Sequence, residues 1–407
     1  MSSFLVCRDG SEYSYGQLLS AVNGGDGYFP VMRSGNLFAW YVNLVRALSL
    51  DCPVTLVDPD VSAGEIDGLQ EMEINCEEPC GDARLQSVAE MIGRVARSSS
   101  RVTFFTSGST GQPKRVAHRV EALTRLVRRG ARHESDVWGL AYNPSHMAGV
   151  QVFFQAFLNG NQMIELFGVS RREVCHLIRA KEVSHISATP TFYRLLLPCE
   201  ESLPTVRRVT FGGERSGASL YASLERLFPN ARFTNIYAST EAGSLLVASG
   251  EGFRIPQGME GLVKVSPSGE LMVHVSLIGE TEGMESVDGY YPTGDMVETV
   301  GGEVGLFRFA GRRGAMINVG GYKVNPEEVE EALLGIEGVS QAVVYGRHNS
   351  VTGNLLCSDV VMCDGASFDE ARLREELRRV LQDYKIPRRI RRVESVDMTR
   401  TGKMKRR

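Results

Sequence analysis

Residues 102–118 read VTFFTSGSTGQPKRVAH, and this stretch constrains the chain more than any other. Val102 to Phe105 is an apolar, β-branched and aromatic run, the composition of a buried strand. It breaks into Thr106-Ser107-Gly108-Ser109-Thr110-Gly111-Gln112-Pro113-Lys114. Two glycines let a backbone turn tightly and bring its N–H groups close to a ligand. The hydroxyls of Thr106, Ser107, Ser109 and Thr110 can bond phosphate oxygens, and Lys114 adds a positive point charge. The stretch therefore reads as a phosphate loop hung on a strand. It is not a Walker A loop, because no Gly-Lys-Ser/Thr closes it and no helical pattern follows at once. Taken alone, the same residues would also suit a solvated turn.

Length and composition set the frame. The chain has 407 residues, material for two or three domains. Hydrophobic residues make up 43% and charged residues 23%, the balance of an ordinary soluble globular protein, and the formal net charge of -4 carries no nucleic-acid signature. MSSFLVCRDG lacks the charged-then-apolar pattern of a signal peptide, and no apolar run reaches the length of a membrane span. Eight cysteines are scattered without framework spacing, and Cys76 and Cys80 find no second Cys/His pair to complete a zinc site. Reduced thiols in a cytoplasmic protein are the expectation.

Periodicity predicts an α/β layer fold. Ser14 and Gln17 suit a capping box for a short helix, and Asn36 to Leu50 carries a helical apolar stripe before the strand Pro53–Asp58. Glu65 to Ser100 is polar and resists assignment. Strands are expected at 137–142, 206–211 and 233–237, each running into a polar or glycine-rich loop, residues 185–191 read as a strand passing into a loop, and helices are expected at 150–158 and 170–181. Open α/β sheets of this kind bind ligands at the carboxyl ends of their strands. Short strands from Gly258 to Val275 suggest a small β subdomain. Beyond Gly311 the pattern changes to a compact α+β unit of about 95 residues, a size sufficient for a separate small domain. In it Asn325-Pro326-Glu327-Glu328 starts a helix, Gly335 stops it, strands run from 339 to 345 and 355 to 362, a second helix spans 367–381, and a last strand 388–393. The expected domains are 1–311 and 312–407.

TSGSTGQPK resembles the phosphate loop of the adenylate-forming superfamily, which comprises acyl- and aryl-CoA ligases, peptide-synthetase adenylation domains and firefly luciferase. Further motifs follow in that family's order. Pro144-Ser145-His146-Met147-Ala148-Gly149 resembles its Pro-x-x-His-x-x-Gly, whose His lines or gates the acid pocket. Gly212-Gly213-Glu214 stands where the family packs small residues against adenine. Asn235-Ile236-Tyr237-Ala238-Ser239-Thr240-Glu241 is similar to its Tyr-x-x-Thr-Glu motif. The resemblance implies that Tyr237 stacks on adenine, Thr240 bonds a phosphate oxygen and Glu241 binds Mg²⁺, a hard-oxygen role that suits a carboxylate. Thr293-Gly294-Asp295 and Arg312 would hold the ribose. Gly320-Gly321-Tyr322-Lys323 matches the loop that enters for thiol transfer, and Gly402-Lys403 matches the motif whose lysine steadies the α-phosphate.

The departures are local. Arg115 follows the loop lysine where Gly is common. Ala238 replaces the usual Gly, which would narrow the acid pocket slightly. Gly314 stands at the hinge where Asp or Lys is usual, and glycine still permits the rotation. The phosphate loop also lies closer to the N-terminus than is usual, implying an abbreviated N-terminal region.

The resemblance implies a large layered α/β domain with a mobile α+β lid. It implies activation of a carboxylic acid by Mg·ATP to an acyl-adenylate, with Lys403, Glu241, Thr240 and His146 as catalytic residues. Transfer to a thiol follows, with CoA first and the phosphopantetheine arm of a carrier protein second as acceptor. A member that binds nucleotide or acyl-adenylate without turnover is the alternative of another class. Acid-pocket candidates, chosen by nearness to the motifs, are His146, Phe153, Ala188, Thr189, Phe211 and Ala238, and a modest, partly aromatic cavity would suit an aryl or short-to-medium acyl acid. No nucleic-acid or membrane partner is expected, and a homodimer is compatible with the family.

Overall fold

The computed structural model describes residues 2–25, 27–33, 35–61, 66, 84–106, 114–197, 199, 201–214, 218–249, 252–300, 305–319, 322–349 and 353–397. Most of the phosphate loop, from 107 to 113, Gly320, Gly321 and Lys403 therefore lie outside the described residues, as does the Cys76/Cys80 pair.

Six strands form the parallel heart of a large mixed sheet. Side by side they are Ser3–Val6, Gln162–Glu165, Val137–Leu140, His185–Ala188, Arg208–Gly212 and Arg232–Ser239. Their interior is apolar on both faces, as a helix-covered parallel sheet requires. On one side Phe4, Tyr41, Phe153 and Phe157 interlock with the Leu37–Ser49 and Met147–Phe157 helices. On the other, Tyr193, Phe211, Phe228 and Ile186 form a second core with the Arg171–Ala180 and Pro190–Leu196 helices. Antiparallel strands extend the sheet from Gly243–Ser249 outwards to Val263–Val265, including Tyr290–Thr299 and Leu306–Arg312.

A second sheet carries the strand–loop–strand unit. Arg101–Thr106 and Lys114–Arg119 pair antiparallel, flanked by Glu280–Thr281 and Val54–Leu56. Thr106 is directly opposite Lys114 in this antiparallel pair. A third sheet, built from Ile317–Val319, Tyr322–Val324, Val339–Asn349, Gly353–Met362 and Arg389–Arg392, has its own core of Val329, Leu333, Val344, Val360 and Leu377. Large and small domains thus each bury a separate interior.

The helix starts follow their caps. Ser14 and Gln17 form the full capping box, and Asn36, Ser170 and Asn325 each accept a backbone N–H at their helix start. One unassigned stretch gains an element and two expectations need correction. Within the unassigned 65–100 stretch, Ser87 caps a helix, Val88–Ala96, which buries Met91 and Val95. Thr189-Pro190 starts a short helix where a loop was expected, with Thr189 as its cap. The second helix of the small domain begins after Asp369, which accepts from two backbone amides and so sets a later start than Ser367.

Candidate active site

A cavity of about 250 Å³ opens at the carboxyl ends of the parallel strands. Its wall includes Tyr142, Asn143, His146, Ser187, Thr189, Thr210, Gly212, Ile236, Ala238 and Thr240. Side chains alternate along a strand, so one face supplies Ser187 and Thr189, Thr210 and Gly212, then Ile236 and Ala238.

Strand alternation and helix phase correct two pocket candidates, Ala188 and Phe153, while Phe211 keeps its place at the cavity. Ala188 is fully buried in the core on the opposite face from Ser187. Phe211 borders the cavity, but its ring is buried against Tyr193, Tyr221 and Phe233. Phe153 is stacked on Tyr41 and Phe157 inside the large core and takes no part in the cavity wall. It lies on the inner face of its helix, while Gln151, Val152 and Gln155 reach the cavity.

His146 is held from behind. Its Nε2 faces Asp58 Oδ2 at 3.2 Å, and the Asn143 amide donates to the same oxygen at 2.8 Å. Because that oxygen is an acceptor, Nε2 carries the imidazole proton. Asp58 is buried, 7% exposed, at the end of the Val54–Leu56 strand. The Pro-x-x-His-x-x-Gly spacing also gains a reason: a Cβ on Gly149 would lie 2.3 Å from the Asn143 carbonyl oxygen. Only glycine lets the helix sit that close to the loop.

Gly212 and Gly213 keep the next wall open. A Cβ on Gly212 would lie 2.8 Å from the Tyr142 hydroxyl, and Gly213 has φ +80°, a left-handed conformation that favours glycine. Tyr142 is buried, which pushes its hydroxyl pKa up and keeps it a hydrogen-bond donor. Glu214 is turned away from the cavity's open side: its carboxylate accepts from the Thr191 N–H at 3.0 Å and the Thr191 hydroxyl at 2.7 Å. It holds the start of the Pro190–Leu196 helix.

Tyr237 projects from the strand that carries Ala238, but to the other side. Its hydroxyl donates to Asp295 Oδ2 at 2.6 Å, and one ring face stacks on Phe309 at 4.4 Å. At most one face is left for a flat base. Burial and the neighbouring Asp295 charge raise the Tyr237 pKa, so it remains protonated. Arg312 Nε donates to Asp295 Oδ1 at 3.0 Å from the directly paired strand position. Burial would pull the guanidinium pKa down, but the Asp295 charge and hydrogen bond outweigh it and the pKa is raised. Thr293-Gly294 is in turn fixed by Glu270, which is 4% exposed, accepts from the Gly294 N–H at 2.8 Å and pairs with Arg313. Asn235 lies half-buried on the same strand as Tyr237.

Thr240 and Glu241 form the turn that ends this strand, with Thr240 on the cavity wall and Glu241 half-buried. The donor set fits Mg²⁺, which takes one or two carboxylates and completes its shell with phosphates and water. Among the described residues no cluster of three or more His, Cys, Asp or Glu side chains could hold a metal without such help. Lys114 is exposed at one end of the Lys114–Arg119 strand. Gly314 lies in a turn with open space where a Cβ would stand. The left-handed backbone of this segment falls instead on Gly311, φ +137°, where a Cβ would meet the Asn325 amide at 2.8 Å. Lys323 lies on the Tyr322–Val324 strand, antiparallel to Ile317–Val319.

Asp58 and Glu270 carried no sequence signature. The only available hint was the Val57-Asp58-Pro59-Asp60 strand end, since a carboxylate after a buried strand needs a partner.

Comparison with known proteins agrees with this geometry. The family model described as AMP-binding enzyme matches residues 54–277, and that described as AMP-binding enzyme C-terminal domain matches residues 328–403. A 2-succinylbenzoate–CoA ligase of Listeria monocytogenes serotype 4b is 27% identical over 334 residues, covering 77% of this chain and 69% of that protein. Bacitracin synthase 3 of Bacillus licheniformis is 26% identical over 359 residues, 78% of this chain, which thereby spans 6% of that much longer relative. ATP-bound MatB from Rhodopseudomonas palustris has the same fold, with a TM-score of 0.74 at 17% identity, covering 99% of this chain and 94% of that one. MenE from Bacillus subtilis, an o-succinylbenzoate CoA synthetase solved with its acyl-adenylate, gives 0.71 at 19% identity with the same coverage. No helix among the described residues is long and apolar enough to cross a membrane. The chain belongs to the AMP-binding enzyme family, the adenylate-forming enzymes.

Proposed function

We propose that this protein joins a carboxylic acid to AMP, releasing pyrophosphate, and then passes the acyl group to a thiol, CoA by first choice. The observation that carries the reading is the Tyr237–Asp295–Arg312 cluster beside the Thr240–Glu241 turn and the cavity. Asp295 offers about four lone-pair positions, of which Tyr237 and Arg312 use two, leaving one on each oxygen for a vicinal diol such as a ribose.

The chemistry is mainly positioning and charge neutralisation. The acid enters the cavity with its carboxylate toward Thr240, and its oxygen attacks the α-phosphorus as the bond to pyrophosphate breaks. Residues 106–111 and Lys114 hold the leaving pyrophosphate. Mg²⁺, held by Glu241 and phosphate oxygens, would neutralise charge on those phosphates. Lys403 steadies the α-phosphate during this half-reaction. The small domain, taken as 312–407 against 1–311, then turns about Gly314 and brings the Gly320–Lys323 loop to the site for thiol attack on the acyl carbon, with AMP leaving.

The cavity volume and its Trp138, Met147, Val152 and Ile236 lining favour an aryl or short-to-medium acyl acid. Two CoA-ligase relatives, the 2-succinylbenzoate enzyme and a 4-hydroxybutyrate–CoA ligase of Metallosphaera sedula, support CoA as acceptor. Relatives among peptide synthetases support the second reading, a carrier-protein phosphopantetheine. A cytoplasmic enzyme working on small substrates is the consistent setting. The test is thioester formation from a panel of aryl and aliphatic acids with ATP, Mg²⁺ and CoA. Acid-dependent thioester and AMP support the reading. Acyl-AMP that CoA does not consume selects the carrier protein. Adenylation only of long-chain fatty acids would refute the acid class.

A further inference from the structure

The Thr240–Glu241 turn is held through its backbone by donors from separate elements. The Thr240 carbonyl oxygen lies 2.7 Å from His118 Nε2. The Glu241 carbonyl accepts the Gly279 N–H at 2.7 Å. The Ala242 carbonyl accepts Arg125 Nη2 at 3.0 Å, and the same nitrogen reaches the Ser244 carbonyl at 3.2 Å. Three successive peptide oxygens are therefore fixed from outside the turn.

His118 is the unusual member. It is 3% exposed, in the Lys114–Arg119 strand that leaves the phosphate loop, and 122 residues from the carbonyl it meets. A carbonyl can only accept, so the imidazole must be the Nε2–H tautomer. Its edge lies so close to the chain that a Cβ on Gly279 would be 2.6 Å from Nε2. The strand that ends the phosphate loop at Lys114 thus reaches, four residues later, the turn that bears Thr240 and Glu241.

We infer that His118 is a positioning residue that holds the Thr240–Glu241 turn against the Lys114–Arg119 strand, so that Thr240, Glu241 and Lys114 keep one arrangement toward the nucleotide phosphates. Its functional consequence rests on the adenylation reading. The hydrogen bond itself does not. Neither His118 nor Arg125 touches the reacting atoms in this account. Both act on where Thr240 and Glu241 stand.

The test compares H118N with H118Q in the full chain. Both are polar and suit a buried site. A glutamine amide reaches the place of Nε2, whereas an asparagine amide stops near Nδ1 and leaves the Thr240 carbonyl unpartnered. Amide hydrogen exchange reports the turn directly, at Ala242 and Gly279. In H118N exchange there should rise about tenfold, the factor of one lost hydrogen bond, and in H118Q it should stay within about threefold of the parent. The KM for MgATP should follow the same order, about tenfold higher in H118N with a smaller change in kcat, since a displaced turn weakens nucleotide binding before it changes chemistry. Equal exchange in all three proteins, or equal loss in both variants, overturns the inference. If the exchange contrast holds while the parent releases no pyrophosphate with any acid, the adenylation reading falls and the positioning role stands.

Discussion

Replacing Asp295 gives the sharpest reading of the nucleotide site. In the structure each carboxylate oxygen has one protein donor: Tyr237 O–H on Oδ2 and Arg312 Nε on Oδ1. The side chain is 15% exposed, so a diol meeting the two remaining lone pairs would do so largely out of water. Hydrogen bonds to a charged group contribute about 1.5–3 kcal/mol each, so Asp295→Ala forfeits roughly 3 kcal/mol at the low end, about a hundredfold in kcat/KM for ATP. The informative control is 2′-deoxy-ATP, which lacks one hydroxyl. The parent enzyme should lose about tenfold on this substrate, one bond's worth, whereas Asp295→Ala should distinguish the two nucleotides by less than about threefold. The assay is initial-rate pyrophosphate release with both nucleotides for both proteins. If Asp295→Ala keeps the parent's full preference for ATP over 2′-deoxy-ATP, Asp295 does not hold the 2′-hydroxyl and the nucleotide site has been misread.

Other outcomes follow from particular contacts. Asp58→Ala leaves the Asn143 amide and His146 Nε2 without their acceptor in a buried place; a loss of about 2–4 kcal/mol and a Tm lowered by about 5–10 °C are expected in thermal melts. His185 is buried against Asp136, with Arg207, Arg208 and His133 nearby, and burial lowers its pKa to about 4. The folded state therefore binds fewer protons than the unfolded chain below the ordinary histidine pKa of about 6.5, so stability falls as pH drops from there towards about 4. A His185→Gln variant should flatten that slope in denaturant melts run across the range. Gly212→Val drives a side chain into the Tyr142 hydroxyl and the cavity mouth. Overpacking of about 1–3 kcal/mol should raise the KM for the acid about tenfold or more; an unchanged KM would remove Gly212 from the site. Lys403→Ala should lose adenylation yet still transfer a preformed acyl-AMP to thiol, and an equal fall in both half-reactions would contradict the alternating lid.

What the residues revealed in advance was chemistry at strand ends. The strand that runs into Thr106, the Gly212-Gly213 strand end and the Tyr237–Asp295–Arg312 set could be read because each sits beside a β-rich run that stops at small or polar residues. Side-chain direction was less legible. Nearness to a motif suggested Phe153 and Ala188 as pocket walls, but strand alternation gives the cavity to Ser187 and Thr189, and helix phase turns Phe153 inward. Strict alternation from Thr189 would have excluded Ala188 beforehand. Long-range partners were not legible at all. Asp58 meets residues 85 and 88 positions away, and His118 a carbonyl 122 positions away. Local pattern carries no information at that range. Arg391 makes the same point, since it is bound to both oxygens of the buried Asp359, 32 positions away.

The central claim is that this chain makes an acyl-adenylate reversibly from an acid and ATP. The most direct measurement is exchange of labelled pyrophosphate into ATP, with Mg²⁺, no thiol, and one acid at a time from an aryl and short-to-medium acyl panel. The account predicts exchange that appears only with a fitting acid, needs Mg²⁺, and disappears in Glu241→Ala. Exchange that ignores the acid, or none across the panel from a protein that binds MgATP, would contradict it.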